Sequence, residues 1–160
     1  MREKIIEEMK AVFGEDARRI NHALSVLEYA EKIAAVEGGD LQVITAAAIL
    51  HDIGIHQAEA KYNSAAGNYQ EIEGPPIAKD ILERNGFSKQ AVEHICKIIA
   101  NHHSDKDIDT PEFRVIWDSD WLVNIPDDFR HIQGEKLRHL VERVFKTKTG
   151  RKTAEELFLK

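Results

Sequence analysis

Residues 41–53 (Leu-Gln-Val-Ile-Thr-Ala-Ala-Ala-Ile-Leu-His-Asp-Ile) are apolar on nearly every side of a helix. A helix without a polar face is covered by other elements all round, so the rest of the chain must supply enough neighbours to bury this one. Asp40 is placed to cap its start and Gly54 to stop it. The run falls far short of the roughly 20 residues that span a bilayer, which makes it the centre of a soluble bundle.

The candidate neighbours also read as helices. From Asp16 to Val36, Ile20, Ala23, Leu24, Leu27, Ala30 and Ala34 recur at helical spacing, and Gly38-Gly39 ends the run. Residues 56–73 are polar and rich in Asn, Ser and Gly, and read as a loop or short irregular helices. Pro75-Pro76 fits the first turn of a helix reaching about Arg84. Ser88 caps a helix from Lys89 to about His103, and Pro111 opens one to about Ile125. Residues 133–146 and 153–159 complete the set. No alternating strand pattern and no internal repeat stands out. The expectation is an all-α chain, a compact helical bundle forming one domain over residues 1–160.

Composition narrows the chemistry. Twenty-two basic against 28 acidic residues give a net charge of −6, which disfavours non-specific nucleic-acid binding and membrane-surface attachment. The charged start lacks the apolar stretch of a signal peptide, so a cytoplasmic location is expected. A single cysteine, Cys96, leaves no internal disulfide. With eight histidines against it, any bound metal would be held by imidazole and carboxylate.

His51-Asp52 closes the apolar helix, and a buried carboxylate needs a partner. That partner is either a hydrogen-bonded neighbour or a metal ion, which would meet both side chains where the helix ends. His22 falls at the edge of an apolar arc with Val26, Tyr29 and Ile33. It reads either as a satisfied core histidine or as a ligand, and Arg19 one turn earlier could grip a phosphoryl group. Asp118 has Arg114 four residues back, which a surface ion pair explains. Asp120, flanked by Ile116, Trp117 and Val123, has no such partner and is the better buried ligand. His102-His103 ends its helix either to meet the macrodipole or to face the interior.

Together, His22, His51-Asp52 and Asp120 in this order resemble the H…HD…D signature of the HD superfamily of metal-dependent phosphohydrolases. The settings Arg19-Ile-Asn-His22, Leu50-His51-Asp52-Ile53-Gly54 and Asp118-Ser-Asp120-Trp-Leu carry the resemblance. Residues 73–82 (Glu-Gly-Pro-Pro-Ile-Ala-Lys-Asp-Ile-Leu) and Ile99-Ala-Asn-His-His are similar to stretches of small bacterial members. The resemblance covers about residues 16–125 and implies a helical bundle with a buried metal site. His22, His51, Asp52 and Asp120 would hold one divalent ion (Mn, Fe, Co, Ni or Zn, with Mg also admissible).

The implied activity is phosphohydrolysis of a small phosphorylated metabolite or nucleotide through a metal-activated water. Asp52 would orient that water or take its proton, and Arg19 with His102 or His103 would offset phosphoryl charge. Lys61 and His56, from the polar stretch, would contact substrate. Where nucleotide-cleaving members carry an acid three residues after the HD aspartate, this chain has Ile55. Where dinuclear members carry a further histidine four residues before a helix-opening glycine, it has Gln70 ahead of Gly74. One ion is therefore expected, a second one on His102, His103 and Asp52 being the variant. A non-catalytic metal-containing binding or sensing module is the alternative function, with a di-iron oxygenase behind it. Trp117, Trp121 and the C-terminal helix serve either the core or a homodimer contact.

Overall fold

The computed structural model describes residues 1–160 and contains only helices and their connections. In chain order these are α1 (Arg2–Phe13), α2 (Ala17–Glu37), α3 (Leu41–Leu50), α4 (Ile55–Tyr62), α5 (Gly67–Arg84), α6 (Lys89–Asn101), α7 (Pro111–Asp128), α8 (Glu135–Val144) and α9 (Lys148–Phe158). The apolar helix is central, as its composition requires. Val43, Ile44, Ala46–Ala48, Ile49 and Leu50 are all buried. α3 packs against α1, α2, α6 and α7, and α5 covers α6 from outside. Thirty-eight apolar residues form one continuous core.

Several starts follow side-chain caps legible in the sequence. Asp40 accepts from the backbone N–H of Gln42 and Val43, Ser88 from Ala91, and Thr110 from Phe113. Each satisfies donors that a helix start leaves free.

The differences from expectation have physical causes. α1 was not foreseen, because its charged residues mask a short apolar face of Ile5, Ile6, Met9 and Phe13, all buried. The polar stretch 56–73 is largely helical. α4 starts at Ile55 directly after the His51–Gly54 turn, and α5 starts at Gly67, so Pro75 and Pro76 lie inside a helix rather than at its first turn. Tertiary contacts hold that early part. Tyr62 stacks on Tyr69 with ring centroids 4.2 Å apart, and its hydroxyl donates to Glu73 at 3.0 Å.

Gly54 does not stop α3 by a left-handed turn, since its φ is −85°. α3 ends at Leu50, and Gly54 is needed for proximity. A Cβ there would come within 2.5 Å of the Gly74 nitrogen and 3.0 Å of the Gln70 carbonyl oxygen. The Gly54–Gly74 contact lets α5 pass directly over the turn that carries His51 and Asp52.

α7 runs three residues beyond the expected end, to Asp128, and α9 begins at Lys148, capped by Thr147 accepting from Gly150 N–H at 2.8 Å. No helix is long and apolar enough to cross a membrane.

Candidate metal centre

Two helices and one turn converge on a polar cluster. His22 comes from α2, His51 and Asp52 from the turn after α3, and Asp120 from α7. His51 has no exposed side-chain surface, and Asp52 and Asp120 are nearly closed off. Its Nδ1–H donates to the Ala48 carbonyl at 2.7 Å, which turns the Nε2 lone pair inward. His22 Nε2 lies 3.2 Å from His51 Nε2, 3.0 Å from Asp120 Oδ1 and 3.2 Å from Asp52 Oδ2. His51 Nε2 lies 3.2 Å from Asp52 Oδ2 and 3.4 Å from Asp120 Oδ1.

These separations suit a common cation. Ligand atoms about 2.1 Å from one ion lie about 3.0 Å apart at the cis edges of an octahedron and about 3.4 Å apart in a tetrahedron. Without an ion, protons must do the joining. Burial opposes protonation of His22, but its hydrogen bonds to Asp120 and Asp52 outweigh that and raise its pKa to about 9. Burial likewise opposes His51 protonation, and the Asp52 charge with bonds to both carboxylates lifts it well above the usual imidazole range. Asp52 and Asp120 are held below the ordinary carboxylate range despite their burial, Asp52 by the His51 charge first and Asp120 by its His22 bond first. Two imidazolium N–H groups then face each other at 3.2 Å, an arrangement that a divalent ion relieves. The two imidazoles and two carboxylates can hold a divalent metal, and they do not discriminate among the first-row candidates.

A second group adjoins the first. His102 Nδ1–H donates to the Ile99 carbonyl at 2.6 Å, as His51 does to its own helix, and His102 Nε2 meets Asp52 Oδ1 at 3.2 Å. Asp52, His102 and His103 bring their ligand atoms close enough together to hold an ion of their own. His103 Nε2–H donates to Gln70 Oε1 at 3.1 Å, while the Gln70 amide nitrogen is spent on the Ala65 carbonyl. Although part of its ring reaches solvent, enclosure of the remainder and then the neighbouring His102 lower the His103 pKa to about 4. His103 is therefore a neutral acceptor near pH 7, not the phosphoryl-facing cation expected.

The cluster floors a cavity of about 400 Å³ lined by Arg18, Arg19, Asn21, Ser25, Gln70, His103, Asn124, Asp127 and Asp128, besides His22, Asp52, Asp120, Ile55 and Val123. Arg19 is where the sequence suggested. Lys61 and His56 are elsewhere. Lys61 pairs with Glu73 at 3.5 Å, and His56 binds Asp16 at 2.8 Å with its ring edge-on to Phe13. The helical path of α4 carries both away from the cavity that a loop would have let them reach.

Asp118 also departs from expectation. It is fully buried and accepts from Lys146 N–H, Thr147 N–H and the Thr147 hydroxyl at 2.8, 2.8 and 2.6 Å. Arg114 instead grips Asp109 with two nitrogens, at 2.7 and 3.0 Å. Asp118 thus joins α7 to the start of α9, and Asp120 alone of the two faces the cluster. His94 is half-buried against Thr110 at 2.8 Å.

Several lining residues went unread, although helical spacing points to them. Arg18 and Ser25 lie four before and three after His22, and Asn124, Asp127 and Asp128 lie four, seven and eight after Asp120.

The HD domain family model matches residues 19–125. A predicted HD superfamily hydrolase from an uncultured Thermotogales bacterium superposes with a TM-score of 0.70 at 27% identity, over 96% of this chain and 83% of that one. An HD-superfamily hydrolase from Bacillus thuringiensis has the same fold, with a TM-score of 0.65 at 23% identity over 97% and 87%. A tRNA (cytidine(56)-2'-O)-methyltransferase of Thermoplasma volcanium is 33% identical over 87 residues, 54% of this chain but only 22% of that protein.

Proposed function

Since this chain belongs to the HD domain family, we propose that it is a metal-dependent phosphohydrolase acting on a small phosphorylated metabolite or nucleotide. The observation that supports this most is the convergence of His22, His51, Asp52 and Asp120 at 3.0–3.4 Å on the floor of an open polar cavity. A divalent ion bound there would supply Lewis-acid polarisation of the phosphoryl group and an acidified water.

The chain's own groups do the remainder. Asp52 presents Oδ2 to the cluster and Oδ1 to His102. It can accept the proton of an attacking water and share it with His102 Nε2. Arg19 at the cavity wall offsets charge on the phosphoryl oxygens. His103, neutral and with its N–H given to Gln70, offers an acceptor for a water or hydroxyl proton in the cavity. Gly54 keeps α5 close enough to bring Gln70 to the cavity.

The methyltransferase similarity carries no methyl-transfer reading over, because the shared region is a fifth of that protein. A metal-containing binding or sensing module is the second reading, favoured by Ile55. It is buried and lines the cavity where nucleotide-cleaving members are expected to carry an acid.

The test is phosphate release from a panel of phosphomonoesters, phosphodiesters and nucleotides with Mn, Co or Ni added. Turnover that disappears in Asp52→Ala is expected. Ligand-induced thermal stabilisation without any product would favour the second reading, and turnover retained in a metal-free Asp52→Ala protein would overturn the first.

A further inference from the structure

Two lips of the cavity carry charge that opposes their helix dipoles. Arg18 and Arg19 lie in the first turn of α2, at the positive end of its macrodipole, with no acid beside them in that turn. Asp127 and Asp128 close α7, at the negative end of its macrodipole, with no base in that turn. Both placements work against helix stability; the acid nearest the arginines is the α2 cap Asp16, which accepts from Arg19 N–H and is bound to His56. The four side chains form no ion pair, so their charges stand open at the cavity rim, where Arg18, Asp127 and Asp128 are exposed. Asn21 and Asn124 continue the polar wall. The cavity is thus polarised, positive along α2 and negative along α7, with the metal-ligand cluster at its floor.

We propose that this cleft selects phosphoesters whose organic portion carries hydrogen-bond donors, an ammonium group or hydroxyls. That portion seats against Asp127 and Asp128, and the phosphoryl end faces Arg18, Arg19 and the cluster. The proposal names the substrate class of the site above and rests on that reading. Ionised carboxylates only accept hydrogen bonds, so an apolar ester group placed there displaces water from these rim carboxylates and offers no donor in return. An ammonium gains a charge-assisted bond at the same place, and a polyol gains neutral ones. The competing surface is the neighbouring hollow, where Trp121 and Phe129 pack with ring centroids 5.3 Å apart. A flat aromatic ester group would prefer that wall.

Phosphonates, which are not hydrolysed, separate this question from catalysis. Binding of 2-aminoethylphosphonate, 2,3-dihydroxypropylphosphonate, propylphosphonate and phenylphosphonate to the metal-loaded full chain is measured by calorimetry. At least one donor-bearing ligand should bind tenfold or more tightly than the propyl compound, and that ratio should fall below threefold in Asp127→Asn/Asp128→Asn. If the amine is the donor, the preference shrinks with added salt. If the hydroxyls are, it does not. Equal binding of all four, a preference unchanged in the double variant, or tightest binding of the phenyl compound would each overturn the proposal. Failure of the hydrolase reading would show separately, as discriminating phosphonate binding with no turnover of any ester.

Discussion

Metal uptake by the cluster should expel protons, and the number follows from the geometry. His22 has a pKa near 9 and His51 lies well above the ordinary imidazole range, while both carboxylates are already ionised. At pH 7 freeing His22 Nε2 costs about 2.7 kcal/mol, taking about 1.36 kcal/mol for each of the two pH units below its pKa. That residue alone should make apparent affinity about fiftyfold weaker at pH 7 than at pH 9, where it is half deprotonated. With His51 contributing a second proton, binding near neutrality should release about two protons per ion. Log affinity should then rise by nearly two for each unit of pH. The count is measured by titrating Mn or Co calorimetrically at pH 7 in buffers of different ionisation enthalpy. His22→Ala should lower it to about one. A count near zero, or an affinity flat between pH 6 and pH 8, would refute the claim that these imidazoles are protonated between the carboxylates and give up those protons to a metal.

The same groups set the stability of the metal-free protein. The His22 pKa is raised on folding, so its contribution is fully present below about pH 6.5 and is lost as pH rises through about 9. The melting temperature of chelated protein should fall across that window, and that of metal-loaded protein should not. Asp118→Ala, which strands three buried donors near α9, should destabilise by about 3–5 kcal/mol in urea unfolding with metal stoichiometry unchanged. Asp120→Asn should do the reverse, weakening metal binding at least tenfold with a smaller loss of stability. Gly54→Ala places a methyl group 2.5 Å from the Gly74 nitrogen and should cost about 1–3 kcal/mol. Wild-type stability in that variant would remove the packing argument for the glycine.

What could be read ahead from residue order was whatever a short range decides. The burial of α3 followed from its lack of a polar face, and the starts of α3, α6 and α7 from Asp40, Ser88 and Pro111. His22 and Asp120 could be singled out because a polar group on an apolar helical arc needs an explanation. The failures share a cause, since each depended on a partner distant in sequence. Asp118 took the obvious surface partner on paper, but the turn before α9, some 28 residues on, claims it. By composition the α4–α5 corner read as a loop or short irregular helices, and the Tyr62–Tyr69 stack with the Gly54–Gly74 contact holds two regular helices there. That change of backbone removed Lys61 and His56 from the cavity. His103 could not be told from a cation without knowing that Gln70, 33 residues away, accepts its Nε2–H.

One ion held by His22, His51, Asp52 and Asp120 is the central expectation for this protein. Elemental analysis of protein purified with Mn, Co, Ni, Fe and Zn available, beside His51→Ala handled identically, tests this directly. The account predicts close to one transition-metal ion per chain in the parent and close to none in the variant. A parent that takes up no metal, or a variant that retains the full complement, would contradict it.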